Sequence, residues 1–385
     1  MKDKIILKGI TWNHSRGFCP MVATGQRFME THDHVNVEWK KRTLQQFADQ
    51  HIEDLAKEYD LLVIDHPWAG YAADTGVIIP LNKYIPKAFL QDQELNSVGK
   101  SYESYQFGGN QYGLPIDAAT PVASSRPDIL KKNNLELPKT FEDLLVLAEK
   151  GWVTMPGIPI DTLMNFYMFC GALGEDPFQS SEQVVSENVG SKALELFKEL
   201  TDRLNPEHFN WNPIKVYEAM ASRSDLAYCP WAYGYANYAR EGYAEHILLF
   251  HDLIDYNSKV AFRSTLGGTG LAISAHCKHK ELAVEYAMQV MSPRIQQTLY
   301  FENGGQPGHR GSWVNEQVNH LSADFFKNTL KTLDNAFLRP RYNGYLYFQD
   351  HAGDPIRNYL MSGGNKLDVL AAINKLYKES QTLDK

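Results

Sequence analysis

Two apolar runs near the start of the chain end in side chains able to do chemistry. "KIILKGITW" delivers Trp12, Asn13, His14 and Arg16, and "YDLLVI" delivers Asp65, His66 and Trp68. The same types recur at Asp117 in "GLPIDAATP", at Trp231 and Tyr233 in "CPWAYGYANY", at Arg263, and at Gln306 and His309 in "GGQPGHRG". Flat aromatic faces beside planar donors and acceptors suit a sugar or polyol, because each buried hydroxyl left unpaired costs roughly 1–3 kcal/mol. Arg16 and Arg263 would also accommodate a sugar acid or another small organic acid. Asp65, His66 and Asp117 could instead perform acid/base catalysis, if two carboxyl groups faced each other with separated pKa values.

Spacing narrows the other chemistries. His14, Asp65, His66, His309 and His351 show neither H-E-x-x-H nor any cysteine-pair pattern, and adjacent residues leaving a strand point to opposite sides, so no metal is expected. Tyr228, Tyr233, Tyr235 and Tyr238 raise a ferric-phenolate alternative, although their alternation beside Trp231 suits stacking better. Gly267, Gly268 and Gly270 in "STLGGTGLAIS" lack the Lys-Ser/Thr of a nucleotide loop. Their expected role is close backbone approach, with Gly268 beside the ligand. No G-x-S-x-G elbow or recognisable cysteine nucleophile occurs, and no cofactor is expected.

The elements that position these residues emerge from periodicity. "KIILKGITW" reads as a strand feeding the polar loop "NHSRGFCP", with a helix including "VATGQRFMETH" after it. "THDHVNVEWK" reads as a second strand with Val35, Val37 and Trp39 on one face. A helix is expected from Thr43, where Gln46 completes a capping box. "DLLVIDHP" is a third strand, apolar on both faces as inside a parallel sheet, and stopped by Pro67. Strand, helix, strand, helix, strand means an α/β unit. "QYGLPIDAATPVASSRPDIL" reads as extended, and "LPKTFEDLLVLAEKGW" as a helix opened by Thr140 and Asp143 and ended by Gly151. Further helices are expected in "SKALELFKELTDRL", "HKELAVEYAMQVM", "PRIQQTLYF" and "KLDVLAAINKLYKE"; the remaining segments read as irregular and aromatic.

With 385 residues the chain exceeds one ordinary core, so two domains are expected. A net charge of -8 without any basic stripe argues against nucleic acid and anionic membranes, and no stretch has the length of a membrane span. Aromatic residues make up 12% of the chain, many among Gly, Pro and Asn where sites are lined. Cys19, Cys170, Cys229 and Cys277 are too scattered to indicate a redox compartment. The chain runs from Met1 and Lys2 into a strand pattern without the apolar segment of a leader, as in a trimmed exported protein or a cytoplasmic one.

Taken together, "GITWNHSRG", "YDLLVIDHPWAG", "GLPIDAATPVASSRPDIL", "CPWAYGYANYARE", "STLGGTGLAIS", "YFENGGQPGHRGSW" and "LRPRYNGYLYFQDHAG" resemble the family 1 extracellular solute-binding proteins, receptors of carbohydrate-type ABC importers. The resemblance runs from about residue 5 to the C-terminus. It implies a two-lobed, type II periplasmic-binding-protein-like α/β fold with the ligand cleft between lobes joined by a multi-strand hinge. The lobes would be residues 1–115 plus 262–312 and 118–260 plus 313–385, with crossings near 114–120 and 260–268. Ligands in such lobes sit at the carboxyl ends of strands, where Trp12 to Arg16 and Asp65 to Trp68 lie. The implied protein is a periplasmic monomer that captures a small polar solute by hinge closure and presents it to ABC permease subunits. A cytoplasmic enzyme on the same scaffold and a metal receptor are the alternatives.

Overall fold

The computed structural model describes residues 4–43 and 51–383. The chain divides into two units. The first comprises 1–119, 267–320 and 341–343; the second comprises 120–266, 321–340 and 344–385.

The first unit is built on a five-stranded sheet. Its order is β2 (Val35–Arg42), β1 (Ile5–Trp12), β3 (Leu61–Ile64), then the strands Gly267–Ile273 and Leu114–Ala119. β1 pairs in parallel with both β2 and β3, whereas Gly267–Ile273 runs antiparallel to β3 and to Leu114–Ala119. The expected all-parallel setting of β3 is therefore corrected to a mixed sheet, because its second neighbour comes from a distant segment entering from the opposite direction. All four β3 side chains are buried, as a two-sided apolar run requires. Leu61 and Val63 join one core with Leu7, Val35 and Leu271, while Leu62 and Ile64 join a second core on the other face. Each such side chain contributes about 1.5–3 kcal/mol by burial.

The loop expected after β1 is corrected to a helix. "SRGFCP" lies within α1, which spans Ser15–Thr31 and includes Pro20. His14 makes the early start possible, its Nδ1 accepting the Arg16 backbone N–H at 3.0 Å as an N-cap. Gly17 also has a steric reason: a Cβ there would lie 2.4 Å from the Trp12 indole, so only glycine lets the first turn rest on that ring. Of the helix start expected at Thr43 and Gln46, everything after Thr43 lies outside the described residues, which show a helix at Ile52–Glu58.

The second unit has a three-stranded antiparallel sheet, in the order Tyr228–Tyr233, Pro121–Ser125, Leu249–His251. Helices pack around it. Phe141–Glu149 opens with the expected capping box, Asp143 N–H to Thr140 Oγ1 at 3.2 Å and Thr140 N–H to Asp143 at 3.0 Å, and Gly151 comes just after it with φ +80°. Glu187–Thr201 and Lys366–Thr382 match expected segments. Pro159–Ala172 and Tyr345–Ser362 are helices in stretches whose sequence reads as irregular. They pack so closely that a Cβ on Gly353 would lie 2.1 Å from the Pro159 carbonyl oxygen. Among the described residues no helix is long and apolar enough to cross a membrane.

Candidate functional site

In the first unit Arg16, Asp117, Gln306 and Gly268 form one connected layer across the strands Leu114–Ala119 and Gly267–Ile273. Arg16, in the first turn of α1, closes on Asp117 with Nε to Oδ2 at 2.8 Å and Nη2 to Oδ1 at 2.5 Å. The two residues are 3% and 1% exposed. Burial raises the Asp117 carboxyl above its ordinary value, while the Arg16 charge and hydrogen bonds and the Thr269 and Gln306 backbone N–H groups oppose that rise. Gln306 adds a second tie, its Nε2 donating to the Ala118 carbonyl at 2.7 Å. Gly268 sits in the same layer with φ +97°, where a Cβ would lie 2.3 Å from the Asp117 carbonyl oxygen. Its glycine is demanded by this strand contact.

His14 is held neutral, its pKa lowered to about 4 first by burial and then by the Arg16 charge. His309 is a second imidazole cap, its Nδ1 accepting the Gly311 N–H at 3.1 Å. Burial also lowers its pKa, against the nearby Asp92. Trp12 is buried in the apolar core. Asp65 turns back on its neighbour: Oδ1 accepts the His66 N–H at 2.8 Å and stands 3.2 Å from His66 Nδ1. The expectation that these side chains diverge is corrected, because the chain turns at once after Ile64. His66 itself is fully buried and meets Tyr105 edge-on at 6.3 Å, and Tyr105 donates its hydroxyl to the Ile64 carbonyl. Trp68 opens the Trp68–Thr75 helix, partly buried against Tyr71.

In the second unit Trp231 is 1% exposed and packs between Phe169 and Phe262, with ring centroids at 5.5 and 5.0 Å. Tyr233 is partly exposed and its hydroxyl lies 3.3 Å from Thr265 Oγ1. Arg263 pairs with Asp176 and stacks over Phe337 at 5.6 Å. Of the other tyrosines, Tyr238 donates to Glu218 at 2.6 Å and Tyr228 is buried; burial pushes both phenols far up, toward the protonated form. A surface concavity of about 340 Å³ includes Arg263, Phe262, Asp252 and Lys331; another of about 410 Å³, over Trp211 and Arg223, contains none of the expected residues.

Two polar residues of the Pro159–Ala172 helix carry no mark in the sequence. Asp161 and Asn165 are 5% and 3% exposed, and burial alone lifts the Asp161 carboxyl to about 8. The available signal is two polar residues four apart on one face of a largely apolar helix, and it is hidden because that segment carries no recognisable periodicity. Among the described residues no three His, Cys, Asp or Glu side chains gather as metal ligands, and all four cysteines are free thiols.

Residues 23–308 match the profile of the bacterial extracellular solute-binding proteins. The chain belongs to this family. The maltotriose-binding protein of Pyrococcus abyssi is 31% identical to it over 91 residues, which is 24% of this chain and only 18% of that protein's length. Among solved structures, an ABC transporter solute-binding protein from Agrobacterium radiobacter K84 in complex with ribitol superposes with a TM-score of 0.82 at 17% identity, covering 98% of this chain and 99% of that one. Maltose-bound MalE3 of T. maritima gives a TM-score of 0.82 at 15% identity, covering 98% and 100%. At such identities the likeness establishes the fold of this solute-binding protein, the two-lobed type II α/β fold of the sugar receptors.

Proposed function

We propose that this solute-binding protein works in the periplasm as a monomer, capturing a neutral polyhydroxylated solute, a sugar or polyol, and delivering it to the permease of an ABC importer. Membership of the extracellular solute-binding family supports the receptor role. The ligands of similar proteins, maltotriose, ribitol and maltose, support the solute class. The observation that carries neutral over acidic is electrostatic. Arg16 closes on Asp117 and Arg263 on Asp176, so both guanidinium groups that an organic acid would need are already matched by carboxylates within their own units.

A thermal-shift screen of sugars, polyols and organic acids tests this. A solute at 100 times its Kd adds about 2.7 kcal/mol of stability, a shift of a few degrees in Tm. The expected result is a shift with a sugar or polyol and none with organic acids. A shift confined to acids overturns the proposed solute class.

A further inference from the structure

Asp161, Asn165 and Phe169 succeed one another at four-residue intervals on the Pro159–Ala172 helix and share one of its faces. The Tyr228–Tyr233 strand meets that face. Phe169 packs edge-on against Trp231, and Cys229, two residues before Trp231, lies within electrostatic reach of the Asp161 carboxyl. Three polar atoms on these two elements, Asp161 Oδ2, Asn165 Nδ2 and Trp231 Nε1, are fully buried and find no hydrogen-bond partner among the described residues. Folded proteins leave few such atoms, since each forfeits the hydration it had in the unfolded chain. Three of them on two contacting elements call for a partner that is not a protein side chain.

The chemistry of the set says what kind. Trp231 offers one N–H donor and Asn165 an amide N–H, while Asp161 can accept through its carbonyl oxygen and, when protonated, donate as well. Among the described residues no cation pairs with the carboxyl, and burial is the sole cause acting on it. An anionic group would meet an acidic side chain without compensation, and a cation would find one carboxyl and two N–H donors. A hydroxyl, which both gives and takes a hydrogen bond, matches every member. We infer that Asp161, Asn165 and Trp231 form a hydroxyl-recognition site in the second unit, which grips one end of a sugar or polyol and selects against deoxy analogues. This rests on the solute-binding reading above and adds to it the residues that discriminate.

The test is calorimetric titration of the full chain with maltose, maltotriose, ribitol and D-mannitol, alongside Tm without solute. The variants are Asp161→Leu, Asp161→Asn and Asn165→Leu. The expected result is that the best wild-type binder is weakened at least 10-fold by Asp161→Leu and by Asn165→Leu, while Asp161→Asn, which retains a donor and an acceptor, stays within a few-fold. If wild type binds a member of the panel and both leucine variants bind it within two-fold, the site is overturned and the three atoms serve buried water. Should Asp161→Leu fail to fold, Asn165→Leu and Asp161→Asn still decide: equal affinity in both removes the site. If wild type binds none of the four, the solute-class reading fails and this inference falls with it.

Discussion

Arg16 and Asp117 are 101 residues apart in the sequence and form a bidentate, buried ion pair at 2.8 and 2.5 Å. It joins the first turn of α1 to the strand Leu114–Ala119, and the Thr269 and Gln306 backbone N–H groups complete the carboxylate's shell. Two residues whose types suggest ligand contacts thus satisfy each other.

Breaking that pair from one side should be costly. Arg16→Met leaves the Asp117 carboxylate buried without its counter-charge, and the expected loss is about 3–5 kcal/mol in denaturant unfolding. Arg16→Met with Asp117→Leu should recover most of it, since both charges are then gone. A single substitution costing under about 1 kcal/mol would show that the pair is not holding this unit together.

Gly268→Ala should destabilise by about 2 kcal/mol or more. The residue sits at φ +97° and its new Cβ would meet the Asp117 carbonyl oxygen at 2.3 Å, so strain and collision act together. Gly76→Ala is the control. It shares the positive φ, at +66°, but has open space around the added carbon and should cost less.

Acid should destabilise the protein through its buried histidines, of which His14 and His208 are shifted furthest. Burial depresses His14 and His208 to about 4, helped by the nearby Arg16 and Arg357 charges. In the unfolded chain both titrate near about 6.5. Between these values the unfolded state binds more protons, so the stability present above about pH 6.5 is lost as pH falls toward 4, by up to about 3 kcal/mol per histidine. His14→Asn keeps an N-capping acceptor without a titrating ring and should flatten the acid limb of a Tm-against-pH curve. An unchanged limb in that variant refutes the assignment to His14.

Asp161 should act in the opposite sense. Its carboxyl rises to about 8 in the folded chain against about 3.9 unfolded, so between those values the folded state holds the extra proton. Its contribution to stability is therefore greatest below about pH 4 and declines as pH rises through 8. In the solute-free protein, Asp161→Asn should remove this decline, measured as the slope of unfolding free energy between about pH 5 and 8.

Short-range signals are legible in the sequence. The two-sided apolar run Leu61–Ile64, the Thr140 and Asp143 capping box and the turn at Gly151 each depend on a few neighbouring residues. The Pro159–Ala172 helix is not legible, because 11 of its 14 residues are buried and a helix apolar nearly all round shows no stripe. The start of α1 is hidden because Gly17 and Pro20 read as punctuation, while the cap that overrides them is an imidazole, outside the usual capping types.

Local patterning alone is enough to make the chain an α/β protein with the pattern of the solute-binding family and a set of polar and aromatic residues at strand ends. Which of them are already occupied depends on the folded chain. Whether an arginine or an aspartate is available depends on what a segment a hundred residues away places beside it, and local periodicity carries no record of that. Arg16 thus proved to be a partner of Asp117, and Asp161, unmarked in the sequence, proved to be a buried carboxyl with no cation beside it among the described residues.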